Sequence, residues 1–532
     1  MNSDIVSTTE AAQRDLVRHC MESEQWDAAQ SALESLLCRV PDDIAAWLEL
    51  ANVLFKRGQL KNSSAVLLQI ARRLPRDAAF IVAVAERLVA TGEVLAARSC
   101  LDLLSHAPTL PAEILVEQAQ LRLTLGEIEP ARLAMEKVIS AGVNSPGELN
   151  LYAMLLQFQG EFEKARVVLH QCLRRWPHYA DAEVMLVTLG KQNLESGRLD
   201  SVRNQLQKLP LVDNDCDAMF VRAEFEYAQF KILDDLGQYV EAWPALERCN
   251  MLMHELNHYD AIGQTAFVDA LIAMESAAEI QCGSPSSCNE PTPIFIVGMP
   301  RTGSTLLERA LSRHSAIASA GELMDFWRQL HWSADVTPAR SDGLLKIIQR
   351  SADIDYAELG ARYLKQTQWR AQGRKFYIDK LPANIQMVAF IRRALPHAPI
   401  LHMVRDPMDT CFSNFKAMFG NVSSYSYDLQ ALAHFYNQYA RLTRHWHEQL
   451  PGAMLDVSYA ALVSDPQSTL RAVLERCGLA MEESCLHPEL NASPVATPSS
   501  AQVRESIHTR GLDQWRQYAK QLEPLRAAIG AV

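Results

Sequence analysis

The sequence predicts an all-α repeat array followed by an α/β domain with a mainly parallel sheet, and three observations lead there. Glycines recur every 34 residues through the first part of the chain. That regularity stops at "QCGSPSSCNEPTP", residues 281–293, a Ser-, Pro- and Gly-rich stretch with no period. Beyond it, short apolar runs alternate with amphipathic segments, the pattern of strands joined by helices. The expected domains are residues 1–280, a linker at 281–291, and residues 292–532. A chain of 532 residues also exceeds what one hydrophobic core ordinarily holds.

The period appears in three registers: Gly58, Gly92, Gly126 and Gly160; Ala51, Ala85, Ala119 and Ala153; and Ala97, Ala131 and Ala165. Two amphipathic helices per unit, small residues where they cross and a glycine at the turn between them make the tetratricopeptide pattern. "RVPDDIAAWLELANVLFKRGQLKNSSAVLLQIARRLPRD" places Trp47, Leu50, Ala51, Gly58 and Pro75 accordingly. The spacing loosens after Gly160, to Gly197 and Gly237, and six or seven repeats are expected from about residue 9. An array of this kind presents a face for a peptide or protein, or serves as a spacer or homodimerisation arm.

Composition excludes several classes. Residues 1–285 carry 25 Lys and Arg against 40 Asp and Glu, a balance of -15, and residues 286–532 carry 26 against 23, or +3; together these give the net -12. Neither half has the basic footprint that nucleic-acid phosphates demand. No run of eighteen apolar residues predicts a membrane span, and "MNSDIVSTTEAAQRD" has no basic and apolar leader pattern, so a cytoplasmic location is expected. The 11 cysteines form no Cys-x-x-Cys pair, which argues against a disulfide framework or zinc ribbon. "HELNH", His254–His258, matches a zinc-protease helix, but Ala261 stands where the extended motif needs glycine, and a third ligand, Glu275 or Glu279, is an assumption. "HWH", His445–His447, reads as a solvated helix face.

In the second half "PIFIVG", "RKFYIDKL", "APILHMV" and "GAMLDVSY" read as strands. Ligands of such sheets bind at the carboxyl ends of strands. After the first comes "GMPRTGST", in which Gly298, Gly303 and Thr305 have phosphate-loop spacing, but Ser304 occupies the position where a triphosphatase has lysine. Pro300, Arg301, Thr302, Gly303, Ser304 and Thr305 thus form an anion loop whose fixed cation is Arg301, and a kinase reading fails on Ser304. After the third strand, "RDPMDTCFSNF" places Ser413 about two helical turns beyond Arg405, a second anion site. A nucleoside with phosphates at both ends would use both.

"PRTGSTLLERAL" followed by "LHMVRDPMDTCFSNF" resembles the two nucleotide signatures of sulfotransferases, which bind the 5′-phosphosulfate and the 3′-phosphate of 3′-phosphoadenylyl sulfate (PAPS). The likeness covers about residues 292–525. It is nearest to bacterial tetratricopeptide-repeat sulfotransferases and, more distantly, to tyrosylprotein sulfotransferases, and it implies a P-loop-like fold. By that resemblance "ASAGELMDFW" offers Glu322 as catalytic base, "YIDKLPANIQ" offers Lys380 to assist the leaving group, and "DVSYAALVSDP" offers Tyr459 to the nucleotide. "PSSAQVRES" offers Ser499, with Ser500 the near alternative.

Sulfuryl transfer builds charge on the bridging oxygen, which Arg301, Lys380 and the loop amides would meet, so no metal is required. The acceptor hydroxyl must lose a proton to Glu322, with His331 and His402 as rivals. Asp379 is expected to position Lys380 or cap a helix rather than react, and Asn384 carries little signal. The expected function is PAPS-dependent sulfuryl transfer to an acceptor hydroxyl, protein tyrosine recruited by the repeats being one acceptor and a sugar, lipid or small phenol others. The alternative is a repeat scaffold whose nucleotide domain binds a bisphosphate (PAP) without transferring.

Overall fold

The computed structural model describes residues 2–105, 107, 109–142, 145–193, 197–210, 215–274, 291–338, 343–497, 500 and 502–530. Most of the expected linker, 281–290, lies outside them, as do Glu275, Glu279 and Ser499. Contacts divide the chain into two compact units, one of Met1–Ala134 with Met324–Thr367, the other of Met135–Leu323 with Gln368–Val532.

Among the described residues fifteen helices precede the sheet, from Asn2–Glu22 and Trp26–Arg39, which pack as a pair, to the pair Cys216–Asp235 and Tyr239–Leu256, then Ala261–Ala273. The periodic residues do what their size dictates. Ala51, Ala85, Ala119 and Ala153 are at most 1 % exposed, and Ala97, Ala131 and Ala165 are fully buried, because only a methyl group fits where the helices approach. Gly58 and Gly92 take φ of 83° and 84°, a left-handed turn that glycine enters without penalty. Asp43 and Asp77 cap helices by accepting from the amides of Ala46 and Phe80. Trp47 donates its indole N–H to the Pro41 carbonyl at 2.8 Å, tying a unit to the proline that opens it.

The first unit holds the early pairs and a segment contributed from beyond the first strands, with helices Asp325–Ser333, Gly343–Gln349 and Tyr356–Thr367. That segment docks on one repeat turn. Gln329 donates to the Gly92 carbonyl at 2.7 Å, and buried Glu93 accepts from Ser64, Arg362 and Gln366 at 2.6, 2.7 and 3.1 Å. The Trp332 ring lies under the guanidinium of Arg362, 3.5 Å from it.

In the second unit five parallel strands, β1 (Thr292–Gly298), β2 (Ile317–Ser319), β3 (Phe376–Lys380), β4 (Ile400–Val404) and β5 (Met454–Ser458), run in the order β2-β3-β1-β4-β5. Four of them are the expected runs; β2, three residues long, carries too few side chains for a period. Ile294, Ile296, Ile378, Leu401 and Met403 pack on Leu307, Ala310 and Leu311 of helix Ser304–Leu311. The helix Leu429–Gln449 reaches the other face, where Trp446 donates to the Ile385 carbonyl at 2.9 Å. Helices Cys216–Asp235 and Tyr239–Leu256 share a core with the sheet's loops: Tyr227, Phe230, Trp243 and Leu246 join Met299, Phe412, Phe415 and Tyr518. Among the described residues no helix is long and apolar enough to cross a membrane.

Candidate active site

Strand order assembles the site. Because β1 lies between β3 and β4, its carboxyl end faces both neighbours' loops, the crevice that parallel sheets offer to ligands. On the β4 side Arg301, at φ 68°, turns its side chain toward Ser413, with Nε donating to Oγ at 3.4 Å. Arg405 donates to the carbonyls of Arg301, at 2.9 Å, and Gly511, and its guanidinium lies 4.7 Å from the Tyr459 ring centre. Its buried Nε has no hydrogen-bond partner among the described residues. Asn414 donates to the Pro300 carbonyl at 2.9 Å and Thr302 to the Met299 carbonyl at 2.8 Å, which fixes the loop on the helix Pro407–Phe415.

Shape confirms how closely these parts fit. A Cβ added to Gly303 would come within 2.5 Å of the Tyr459 ring, and one at Gly298 within 2.8 Å of the Met403 carbonyl. Ser304 and Thr305 begin the helix as buried residues, so the loop delivers backbone amides and a helix N-terminus to its crevice.

Lys416 completes the cationic group, and the sequence reading missed it. It directly follows the helix that carries Ser413, donates to Gln514 at 2.8 Å and lies 5.0 Å from the Phe412 ring centre. Burial holds its ammonium below the usual lysine range; Asp234 opposes this and Arg301, Lys231 and Arg405 add to it. Arg301 is lowered by burial in the same way, with Arg405 adding to it and Tyr227 opposing. Burial raises the Tyr459 hydroxyl, against Arg405. Cations that disfavour one another's charge gain most from an anion.

On the β3 side Lys380, 1 % exposed at its side chain, is ion-paired with Glu322, whose side chain is 41 % exposed. The edge strand β2 brings Glu322 there: the amides of Ala320 and Lys380 bond the Ile378 and Gly321 carbonyls at 3.0 and 2.9 Å. A second carboxylate, Glu308, stands 3.9 Å from the Lys380 ammonium and accepts from Ser319 at 2.7 Å. Burial raises the Glu308 carboxyl, with Lys380 the main opposing influence. In sequence Glu308 looked like any polar residue of an amphipathic helix; its place one turn after Ser304 was the available signal.

His402, one rival base, does not share this corner. Lys380 registers with Ile296, and His402 with the next residue, Val297, so the two side chains project from opposite sheet faces. His331, in the other compact unit, is buried against the Val336 carbonyl at 2.8 Å and held below its usual range by that burial. Asp379 is buried and accepts from Asn384 at 3.4 Å. Ser500 is fully buried and accepts from Gln157 at 2.9 Å. His258 lies beyond the end of the helix that carries His254, so the protease-like pair does not share one helix face. His447 departs from the solvated reading of "HWH", since it donates to Asp456 at 3.0 Å.

Residues 293–483 match the model of the sulfotransferase family, and residues 21–85 a tetratricopeptide repeat model. An uncharacterized protein of Aquifex aeolicus is 26 % identical over 63 % of this chain and 45 % of its own, and a protein-tyrosine sulfotransferase of Drosophila melanogaster 24 % identical over 43 % and 48 %. The alignments therefore span about half the length of either relative. The sulfotransferase domain from the Synechococcus PCC 7002 olefin synthase matches 44 % of this chain and 91 % of its own at 23 % identity, with a TM-score of 0.31.

Proposed function

We propose that this chain, tetratricopeptide repeats joined to a sulfotransferase-family domain, transfers a sulfuryl group from PAPS to an acceptor hydroxyl. The observation that carries the reading is the pairing, at the carboxyl end of the sheet, of a cation group (Arg301, Arg405, Lys416 with Ser413) and a carboxylate–ammonium pair (Glu322, Lys380). The residues fit a nucleotide with separate phosphates: partly buried cations disfavour one another, and Arg405 Nε is unpartnered among the described residues.

PAPS, when bound, supplies an activated sulfuryl group. Arg301 and the Gly303–Thr305 amides would hold the phosphosulfate end and Arg405, Ser413 and Lys416 the far phosphate, with Tyr459, which lies against Gly303 and Arg405, available to the nucleotide. Ser499 lies outside the described residues and keeps its role by resemblance alone. Glu322 takes the acceptor proton, being open to solvent on one side and tied to Lys380 on the other. Glu308 makes this workable, because Lys380 keeps a counter-charge when Glu322 becomes neutral. Lys380 would then meet the charge that develops on the leaving oxygen. Transfer by this route calls on no metal. The Drosophila relative suggests a protein tyrosine as acceptor, brought by the repeats. Against the acidic peptides that such enzymes take, the -15 of residues 1–285 is an obstacle unless the binding face is locally basic.

Thermal unfolding tests the ligand. The 3′,5′-bisphosphate of adenosine should raise the midpoint, because a ligand stabilises only through affinity for the folded state, and ATP with magnesium should not. Equal shifts from both would contradict the assignment.

A further inference from the structure

On the sheet face away from Glu322 and Lys380, β4 and β5 place His402 and Asp456 side by side in register, and the helix Leu429–Gln449 lowers Tyr439 and His447 onto them. Two imidazoles converge on one carboxylate oxygen: His402 Nδ1 donates to Asp456 Oδ1 at 2.8 Å, and His447 Nε2 donates to the same atom at 3.0 Å. The Tyr439 hydroxyl is bonded to the other ring nitrogen of His402 at 2.6 Å. These groups line a cavity of about 230 Å³. Within the proposed transfer they have no part.

We propose that His402, His447 and Asp456 form a site for one divalent transition ion of the zinc and cobalt class, completed by water in the adjoining cavity. The donor set is two imidazoles and a carboxylate, which suits such ions better than calcium or magnesium. Three ligands about 2.1 Å from a tetrahedral ion lie about 3.4 Å apart. The three donor atoms here lie within 4.8 Å of one another, with the two histidine–carboxylate distances at 2.8 and 3.0 Å, so those two must open by about half an ångström and the histidine–histidine spacing must close by at most about 1.4 Å.

The parts are free to make that adjustment where it is needed and fixed where it is not. His402 is 5 % exposed at its side chain and anchored through Tyr439, whereas His447 and Asp456 are 39 % and 52 % exposed and open a route from solvent. Tyr439 also serves the ligand role. When Nδ1 binds the ion, the ring carries its proton on Nε2 and donates it to the Tyr439 hydroxyl, the outer-sphere bond that metal-ligating histidines ordinarily make. Arg405 and Arg444 line the same cavity, so its open positions favour water or an anion over a second cation. The site rests on these side chains alone and stands whether or not the transfer reading does.

The test is titration of the full chain, freed of metal with a chelator, with Co²⁺, read by visible absorption. Expected are ligand-field bands of a four- or five-coordinate ion that saturate at one equivalent and are displaced by Zn²⁺. Asp456→Asn and His447→Ala change half-exposed positions and should abolish the bands while leaving far-ultraviolet circular dichroism unchanged. Tyr439→Phe should keep them with affinity weakened about 10–100-fold. Octahedral-type weak bands without saturation, or bands unchanged in both ligand variants, would overturn the site.

Discussion

The early and late helix pairs are built to one plan, yet only the early ones keep its period. In the first unit the segment 324–367 docks through a repeat turn: the Gly92 carbonyl, Glu93 and the Leu95 amide receive Gln329, Arg362 and Gln366. A turn can be used so without altering the helix faces, and the 34-residue spacing survives. In the second unit the pair Cys216–Asp235 and Tyr239–Leu256 offers its helix faces to the sheet's loops, with Trp243 stacked on Phe415 at 5.6 Å and Asn250 donating to the Phe415 carbonyl at 2.9 Å. These helices lengthen to 20 and 18 residues and fill with large aromatics. A repeat that must fit a non-repeating partner gives up its period.

That contrast predicts unequal consequences. Trp243→Ala should cost about 3–5 kcal/mol as a large core truncation and should also weaken bisphosphate binding, since Phe415 ends the helix carrying Ser413. Urea unfolding and calorimetry would show both losses; loss of stability with unchanged affinity would mean that the late repeats only border the site. Glu93→Gln should cost about 1–3 kcal/mol by stranding Arg362 and Gln366, with bisphosphate affinity unchanged because every anion-binding residue belongs to the other unit.

A pH effect is confined to the late helices. Burial pushes the Glu224 carboxyl up to about 10, with Asp181 adding to it. The folded state therefore binds a proton that the unfolded state releases above about 4.5, so this contribution is complete below that pH and is lost as pH rises toward 10. The unfolding midpoint should fall across that window, and Glu224→Gln should flatten the fall; an unchanged slope would reassign it. The smallest effect is Gly58→Ala, about 1–2 kcal/mol from backbone strain alone, since nothing stands within 4 Å of the added Cβ.

What the sequence revealed follows the same division. Ala85, Gly92 and the Gly298–Thr305 loop were legible because their demands are local: a methyl at a crossing, a left-handed turn, a spacing around an anion. Glu308, Lys416 and His447 were not, because each looks like a solvated residue of an amphipathic helix, and only distant partners (Lys380, Gln514 and Asp456) give it a buried or bonded place. The three-residue β2 was too short for a period, although the Gly321–Glu322 turn that follows it could be read. The passage of residues 324–367 into the first unit left no mark, since a docking segment needs only an amphipathic face.

Glu322→Gln tests the central claim most directly. Gln keeps the size and the contact with Lys380 but accepts no proton at working pH. With labelled PAPS and a tyrosine-containing acceptor, single-turnover transfer should fall about 10²–10⁴-fold while calorimetric affinity for the bisphosphate stays at the wild-type value. Full transfer by that variant, with loss instead in His402→Ala, would contradict the account and move the chemistry to the opposite face of the sheet.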